Sequence, residues 1–401
     1  MPDIDTAAWY ALGVPLYLIY LALEIGLARR RSERVWSFAE TISNLTAGLG
    51  TLIIGLFAGP LVFRAWNLAH QHLAPLPWPA HGVWKLPAAL VLADFCYYIY
   101  HRAGHRFAIF WSIHGIHHQH EHINSSVAFR LEWLADPYAA LFFGLMPLAG
   151  VDSQTGFAAL ALLSFYTLTA HSPVLPRASY GLLVTPAIHG SHHSRDSRFA
   201  DKNYGAMLGI WDRLFGTWLE PEKGDALRAD VPSIARTHNG VAAQWGLIVE
   251  LARLVAGERR LRDRLRLLFA RPVVSPPPAP LREDAEIPWS LRIYVLVQFA
   301  AIAAFGEWLL LRREARPIPV QVASAVVILV GLHALGGLLD GQARAVRQER
   351  LRLLGTAPIG AALAAYSPLV GLSILAGAIA GLLGISTLAG RAKRAPDQGC
   401  A

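Results

Sequence analysis

The feature that most constrains the fold of this chain is a series of apolar runs, most of them about as long as a membrane-spanning helix. A bilayer core of about 30 Å requires roughly 20 apolar residues of helix to cross it. The runs cover residues 7–27, 45–63, 83–100, 134–150, 156–170, 291–311, 320–339 and 359–389. We therefore predict an all-α, polytopic helical membrane protein, in which the runs 134–150 and 156–170 form a hairpin.

The composition agrees with that prediction. Hydrophobic residues make up 54% of the 401 residues and charged residues 16%, against roughly 45–50% and about 25% in soluble domains. Two cysteines, Cys96 and Cys400, provide no disulfide framework, which excludes a secreted disulfide scaffold. The net charge of +8 arises from Lys and Arg residues beside the apolar runs, as in membrane proteins that follow the positive-inside rule. We therefore expect no nucleic-acid partner.

The basic residues after the first run predict how the chain is oriented. Four arginines between positions 29 and 34 follow this run and are expected on the cytoplasmic side. Residues 1–6 contain two aspartates and no basic residue, so we interpret the run as a retained helix rather than a signal peptide. Alternating spans from this point place His101 and His171, at the ends of the third and fifth runs, on the cytoplasmic face.

Four regions follow one another along the chain. Residues 1–36 hold the first transmembrane helix and a basic loop, 37–220 a candidate catalytic domain, 221–280 an amphipathic helix and a linker, and 281–401 a C-terminal transmembrane region. Val241–Phe269 interleaves apolar residues with arginines, which predicts a helix on the membrane surface. Arg271–Pro280 contains five prolines, which indicates an extended linker. The run 359–389 contains Pro368 and has arginines on both flanks, so we favour a hairpin over one tilted span.

The histidines carry the strongest functional signal. Eleven of the 16 histidines lie between His101 and His193, and eight of them form one HxxxH and two HxxHH motifs. Residues at i, i+3 and i+4 share one face of a helix, so each motif directs its imidazoles at one point. Eight ligands exceed what one octahedral ion binds, which predicts two metal ions. The predicted ligands are His101, His105, His114, His117, His118, His189, His192 and His193.

The alternative interpretation is that these histidines are structural or belong to a metal-gathering tract. Tracts that only gather metal are usually low-complexity repeats, whereas here Phe107–Trp111 and a predicted hairpin separate the motifs. A fold is therefore needed to assemble them. Imidazole binds iron, zinc and copper alike, so the ligand type does not identify the metal. We expect His120 and His122 to be surface residues rather than ligands or proton carriers.

The motifs also match a known family in order and spacing. They read Asp94-x6-His101-x3-His105, Trp111-x2-His114-x2-His117-His118 and His189-x2-His192-His193, with Asn124 and Arg130 between the second and third. Over about Ser37–Leu219 this pattern resembles the fatty acid hydroxylase and sterol desaturase superfamily of integral membrane oxidases. Asp201–Gly205 and Trp211–Thr217 are most similar to its alkylglycerol monooxygenase branch. Two positions depart from that branch, which often has a histidine at Ile188 and a serine at His120.

The resemblance implies a di-iron centre, with two iron ions that activate O2 to hydroxylate a lipid C–H bond. Within the branch it implies ether-lipid cleavage, and within the superfamily the rivals are lipid desaturation and sterol methyl oxidation. The sequence contains no flavin or nicotinamide fingerprint, so electrons must come from an external donor. A cytochrome or ferredoxin-type protein serves the superfamily, and a reduced pterin is associated with the branch. A metal transporter or sensor is the rival from another class, and the oligomeric state stays open.

The resemblance and the hairpin also point to residues that support the ligands. His171, returned by the hairpin to the same face, is expected as a further ligand. Ligand imidazoles generally donate their other N–H to an acceptor; the candidates are Asp94, Asn124, Glu132, Asp136, Asn203 and Asp212. Asp94 is favoured, because an acid two turns before His101 in an apolar run is costly unless paired. Three arginines at headgroup level are candidates for binding the polar end of a lipid, or else cytoplasmic anchors: Arg102, Arg106 and Arg130.

Overall fold

A computed structural model describes residues 6–31, 35–79, 81–175, 181–194, 196–222, 237–272, 283–364 and 368–394. The first nine helices are α1 (Thr6–Arg30), α2 (Phe38–Leu73), α3 (Lys85–Arg106), α4 (Ala108–His114), α5 (Ala135–Phe143), α6 (Leu145–Leu148), α7 (Ser153–Ala170), α8 (Pro186–His192) and α9 (Ile210–Leu214). The others are α10 (Gly240–Gly257), α11 (Leu261–Phe269), α12 (Trp289–Arg312), α13 (Ile318–Leu339), α14 (Ala345–Ala364) and α15 (Pro368–Arg394). The described residues form no named strand, and Leu183 and Leu208 are joined by an isolated bridge. The predicted all-α class is confirmed.

Four helices in the described part of the chain are long and apolar enough to cross a membrane: α2, α10, α12 and α13. Three of them contain the predicted runs 45–63, 291–311 and 320–339. The fourth, α10, corrects the prediction of a single surface helix over Val241–Phe269. The helix ends at Gly257 and a new one begins at Leu261, as is common at a glycine. The first helix is apolar, and most of the arginines lie in or directly before the second.

Three further runs differ from the sequence prediction. The run 134–150 is not one span, because the helix divides at Gly144 into α5 and α6. At 1.5 Å per residue the nine residues of α5 cover about 14 Å, less than half of a bilayer core. The runs 83–100 and 156–170 are helical as α3 and α7, but neither is among the four candidate spans.

The C-terminal run forms two helices rather than one. α15 begins at Pro368, and α14 already begins at Ala345. The two helices pack closely, since a Cβ added to Gly371 would clash with the backbone of Ala364. The described residues of the run 359–389 thus belong to two packed helices, and the membrane hairpin preferred from the sequence stays a prediction. Most of the proline-rich linker lies outside the described residues.

By internal packing the chain divides into two compact units. The first, which we call the histidine unit, comprises Met1–Trp36, Ile54–Arg236 and Gln244–Ala279. The second, the C-terminal unit, comprises Ser37–Ile53, Thr237–Ala243 and Pro280–Ala401. The division falls after residue 279, and Ser37–Ile53 groups with the C-terminal unit. The four regions expected from the sequence stay a prediction.

Helices α3 and α7 form the framework of the histidine unit. Small side chains such as Ala89 and Ala159 in its core are fully buried, which allows helices to approach closely. Lys85 at the start of α3 lies 2.7 Å from Asp152, which caps the start of α7. The two helices therefore run in the same direction, and both end on the same side, where the histidines lie.

Candidate metal centre

Local breaks in the helices bring the histidine motifs together. His101 and His105 share one face of the last turns of α3, which ends where Phe107 becomes extended (φ −121°, ψ 129°). The chain then re-enters a helix as α4, and a 3-10 helix over 115–118 carries the end of the second motif. α8 starts with a proline, Pro186, in its first turn, a position where the missing N–H costs nothing. It carries the third motif, and His171 follows α7 directly.

The structure gathers eight histidines into two groups of four. The first metal group contains His101, His105, His118 and His192, and the second metal group contains His117, His171, His189 and His193. Within each group the candidate ligand atoms all lie within 4.8 Å of one another. All eight are buried except His105, which is half-buried. His114 belongs to neither group, but its Nε2 lies 3.3 Å from Nε2 of His118.

Hydrogen bonds at the outer nitrogens orient these rings. Four Nδ1 atoms face backbone carbonyls: His101 with Tyr204 at 2.9 Å, His192 with Lys202 at 2.8 Å, His117 with Arg130 at 3.3 Å and His171 with Thr167 at 2.9 Å. A carbonyl oxygen only accepts, so each of these Nδ1 atoms carries the proton. In a neutral ring Nε2 is then left with a lone pair, which is the form that binds a metal.

The donor sets fit metal ions. In the second metal group Nε2 of His171 lies 3.3 Å from Nε2 of His117 and 2.9 Å from Nε2 of His189. Lone pairs at these distances repel one another unless a cation lies between them. Metal–nitrogen bonds of about 2.1 Å place neighbouring ligands of one ion roughly 3.0–3.4 Å apart. In the first metal group, Nε2 of His101, His105 and His192 is buried without a hydrogen-bond partner among the described residues.

Burial keeps the imidazoles neutral. It is the largest cause that lowers the pKa of His117, His118, His189 and His193 well below the usual value, and neighbouring histidines lower it further. Burial likewise lowers the pKa of His192 to about 3. A low-dielectric environment destabilises the protonated, charged form of an imidazole and so lowers its pKa. The site therefore presents unprotonated ligands at neutral pH, as metal binding requires.

One carboxylate contacts a histidine of the motifs directly. Glu132 Oε1 lies 2.6 Å from Nδ1 of His114, and both side chains are buried. This is the carboxylate–histidine contact that orients ligands in many metal sites. Of the acids proposed from the sequence, Glu132 thus has the geometry of an orienting partner.

Asp94 and Asp212 act on a loop rather than on an imidazole, so the prediction that they pair with a ligand directly is wrong. Asp94 accepts from the backbone N–H groups of Met207 and Leu208 and from the indole of Trp211, at 2.8, 3.1 and 2.9 Å. Asp212 accepts from the N–H groups of residues 204 and 205 and from the hydroxyl of residue 217. The loop held by these acids supplies the carbonyl that faces His101.

The two asparagines also bond elsewhere than to the ligands. Asn124 accepts from the N–H and hydroxyl of Ser126 and donates to the carbonyl of Val35, so it caps a 3-10 helix instead. Asn203, at φ 60°, donates to the hydroxyl of Ser191 in α8 and to the carbonyl of Leu219. It therefore ties the loop to the third motif.

The three arginines have different environments. Arg130 is 1% exposed and donates from Nε to the carbonyl of Ile116, so its expected position at the headgroup level is wrong. It supports the second motif from inside. Arg102 is half-buried and donates to the hydroxyl of Tyr98, and Arg106 is exposed.

The positions of two residues near the centre, His120 and Glu24, were not predicted from the sequence. His120 is 1% exposed, and its Nε2 lies 3.0 Å from Nδ1 of His193, so the expectation of a surface residue is wrong. Glu24 of α1 is also 1% exposed and accepts from the hydroxyls of Ser125 and Ser172, both at 2.5 Å. Ser172 follows the ligand candidate His171. A single acid in an apolar run, as at Glu24, is the signal that could have identified this contact.

Comparisons with known proteins match this centre. The fatty acid hydroxylase family model matches residues 86–217. Alkylglycerol monooxygenase of Homo sapiens is 27% identical over 334 residues, which cover 79% of this chain and 74% of the relative. The same enzyme of Danio rerio is 26% identical, over 87% and 80% of the two chains. Ornithine lipid hydroxylase of Rhizobium tropici is 28% identical, over 44% and 53%. No solved structure matches this chain.

The matched segment contains both metal groups, the loop that orients them and six of the first nine helices in full, α4 to α9. The four candidate spans together with these relatives make the chain an integral membrane protein. Residues 86–217 form a fatty acid hydroxylase domain, in a chain similar over most of its length to alkylglycerol monooxygenases.

Proposed function

We propose that this chain is a di-iron, O2-dependent membrane monooxygenase that hydroxylates a C–H bond of a lipid. The observation that carries the proposal is the pair of buried groups of four histidines, because eight neutral imidazoles in two sets provide the donors for two metal ions. The names of the relatives, a monooxygenase and a lipid hydroxylase, support the reaction class.

When bound, two irons supply the activation of O2 that an unreactive C–H bond requires. The reaction consumes the lipid, one O2, two electrons and two protons, and it yields the hydroxylated lipid and one water. An external donor, either a cytochrome or ferredoxin-type protein or a reduced pterin, provides the electrons. The chain itself holds the metals through its histidines and orients them through Glu132 and the carbonyls of Lys202 and Tyr204. Burial of the rings limits the access of bulk water.

Within this class we propose an ether lipid as the substrate, on the strength of the alkylglycerol monooxygenases among the relatives. Hydroxylation of the carbon next to the ether oxygen gives a hemiacetal, which breaks into an aldehyde and an alcohol. Arg106 is exposed and Arg102 half-buried beside the first metal group, so both are candidates to bind the polar end of the lipid. Arginine suits this role because its planar fork matches phosphate oxygens.

We place the metal centre on the cytoplasmic side and α11 on the membrane surface. The basic end of α1 supports the first assignment, by the positive-inside rule. In α11 three apolar side chains spaced four apart are exposed by 47–70%: Leu261, Leu265 and Phe269. Arginines flank this stripe on both sides at 3.6 residues per turn: Arg262, Arg264 and Arg266. Apolar side chains flanked by arginines are typical of a helix that lies among anionic headgroups.

A fluorescent label at Leu265→Cys, in protein that also carries Cys400→Ser, tests the position of α11. In lipid nanodiscs with a quencher at a shallow acyl position we expect strong quenching. The same label at Asp263→Cys, on the opposite side of the helix, is expected to be quenched less. Equal quenching at both positions would contradict the surface assignment.

The proposed reaction is tested on full-length protein purified in detergent after growth with iron. We expect about two irons per chain and incorporation of one atom of 18O2 into a lipid product. A panel of an alkylglycerol, an ornithine lipid and a free fatty acid, each with a reduced pterin or a reduced ferredoxin, identifies substrate and donor. A product with a new double bond and no 18O would favour the desaturase. Zinc as the native metal, or metal flux across vesicles without oxidation, would refute the monooxygenase.

A further inference from the structure

His120 lies two residues beyond the second histidine motif and contacts the second metal group from outside. Its side chain is 1% exposed, and its Nε2 lies 3.0 Å from Nδ1 of His193. The two ring centroids are 4.9 Å apart. Nε2 of His193 points the other way and lies 3.1 Å from Nε2 of His189. The His193 ring therefore lies between His120 and the rest of the second metal group.

His193 differs from its neighbours in what orients it. The outer nitrogens of His101, His117, His171 and His192 face backbone carbonyls, whereas that of His193 faces a side chain. For Nε2 of His193 to bind a metal, its proton must be on Nδ1. Nδ1 is then the donor, and Nε2 of His120 is the acceptor. This arrangement fixes the tautomer of His120 as well, with its proton on Nδ1.

We infer that His120 is a positioning residue for the second metal group, which holds the His193 ring in the tautomer and orientation that binds metal. The inference rests on the proposed metal centre. A backbone carbonyl remains when its side chain is replaced, but this acceptor does not, so a single substitution isolates its effect. Residues that orient metal ligands typically alter metal affinity by about 10- to 100-fold. The effect should fall on one ion, since in the first metal group His101 and His192 are oriented by the carbonyls of the loop.

The test uses full-length protein loaded with 57Fe in detergent, read by Mössbauer spectroscopy and by the rate at which a chelator removes iron. In His120→Ala we expect one iron signal to change and that iron to be released about 10- to 100-fold faster, while the other iron behaves as in the wild type. His120→Gln places an amide oxygen near the former Nε2 and should restore both readouts. The matched control is His122→Ala, which removes a half-buried histidine two residues away and should leave both signals unchanged.

Each other outcome overturns the inference. If His120→Ala matches the wild type in both signals and both release rates, His120 does not position a ligand. If His120→Gln is as impaired as His120→Ala, the imidazole is itself a ligand or is needed for another reason. Equal loss of both irons with a lower melting temperature would indicate a general structural role. A wild type that binds no metal would overturn the proposed function along with this inference, whereas a wild type with two irons and no lipid product would overturn the proposed function alone.

Discussion

The contact between Glu132 and His114 permits a prediction whose magnitude follows from the structure. The two side chains are 6% and 4% exposed, and the Oε1–Nδ1 distance of 2.6 Å is short for a hydrogen bond to a charged group. Glu132→Gln preserves the shape and an oxygen acceptor but removes the charge. A hydrogen bond to a charged group contributes about 1.5–3 kcal/mol and a neutral one about 0.5–1.5 kcal/mol. The expected loss is therefore about 1–1.5 kcal/mol.

That loss corresponds to roughly a tenfold weakening, since about 1.4 kcal/mol is a factor of ten. Because Nε2 of His114 lies beside His118 of the first metal group, the weakening should appear in the affinity of one metal ion. The assay is competition with a chelator of known affinity, with turnover measured in parallel. The matched control is Asp136→Asn in the first turn of α5, whose acid the described structure does not place against an imidazole; we expect less than a twofold change. If the two variants weakened metal binding equally, the reasoning that the 2.6 Å contact orients a ligand would be refuted.

Three other substitutions or conditions have expected outcomes. His117→Ala and His192→Ala each remove a donor from a different metal group, so each should abolish turnover and leave about one iron per chain by elemental analysis. Glu349→Gln leaves the buried charge of Arg352 without its carboxylate partner, although Arg352 still donates to Gln298, and should lower stability by about 3–5 kcal/mol. Adding Arg352→Met should recover most of the melting temperature, and Arg350→Gln at an exposed site should change nothing. The buried histidines have lowered pKa values in the folded chain, so below about pH 6.5 the unfolded chain binds protons that the folded chain does not. The melting temperature of metal-free protein should therefore decrease as the pH is lowered below about 6.5 and stay level above that pH.

Seven of the eight histidines that the structure gathers into two groups could be identified from the sequence motifs, because helix periodicity fixes which histidines share a face. His101 and His105 need only one continuous turn of α3 to converge. The groups that orient the rings could not be predicted in the same way, because most are backbone carbonyls. Every residue has a carbonyl, so nothing in the identities of Lys202 and Tyr204 marks them as partners of His192 and His101.

The spans were predicted less well because hydropathy averages over a window. A window over 134–150 does not register that the helix divides at Gly144. A window over Val241–Phe269 merges an apolar span with a short arginine-rich helix. His120 was misjudged for a related reason. Its polarity and its position beyond the motif suggest a surface residue, and only the fold reveals that α8 returns beside it and delivers His193.

The position of Asp94 shows how the apolar framework and the metal centre depend on each other. An acid in an apolar helix is costly unless its oxygens are satisfied, and Asp94, which is fully buried, accepts three hydrogen bonds from Met207, Leu208 and Trp211. Those bonds help to hold against α3 a loop in which Asp201 and Asn203 adopt positive φ angles. The same loop presents the carbonyl of Tyr204 to His101, seven residues after Asp94 on the same helix. The acid and the ligand therefore act as a pair, because the acid holds the loop against the helix and the loop sets the tautomer of the ligand.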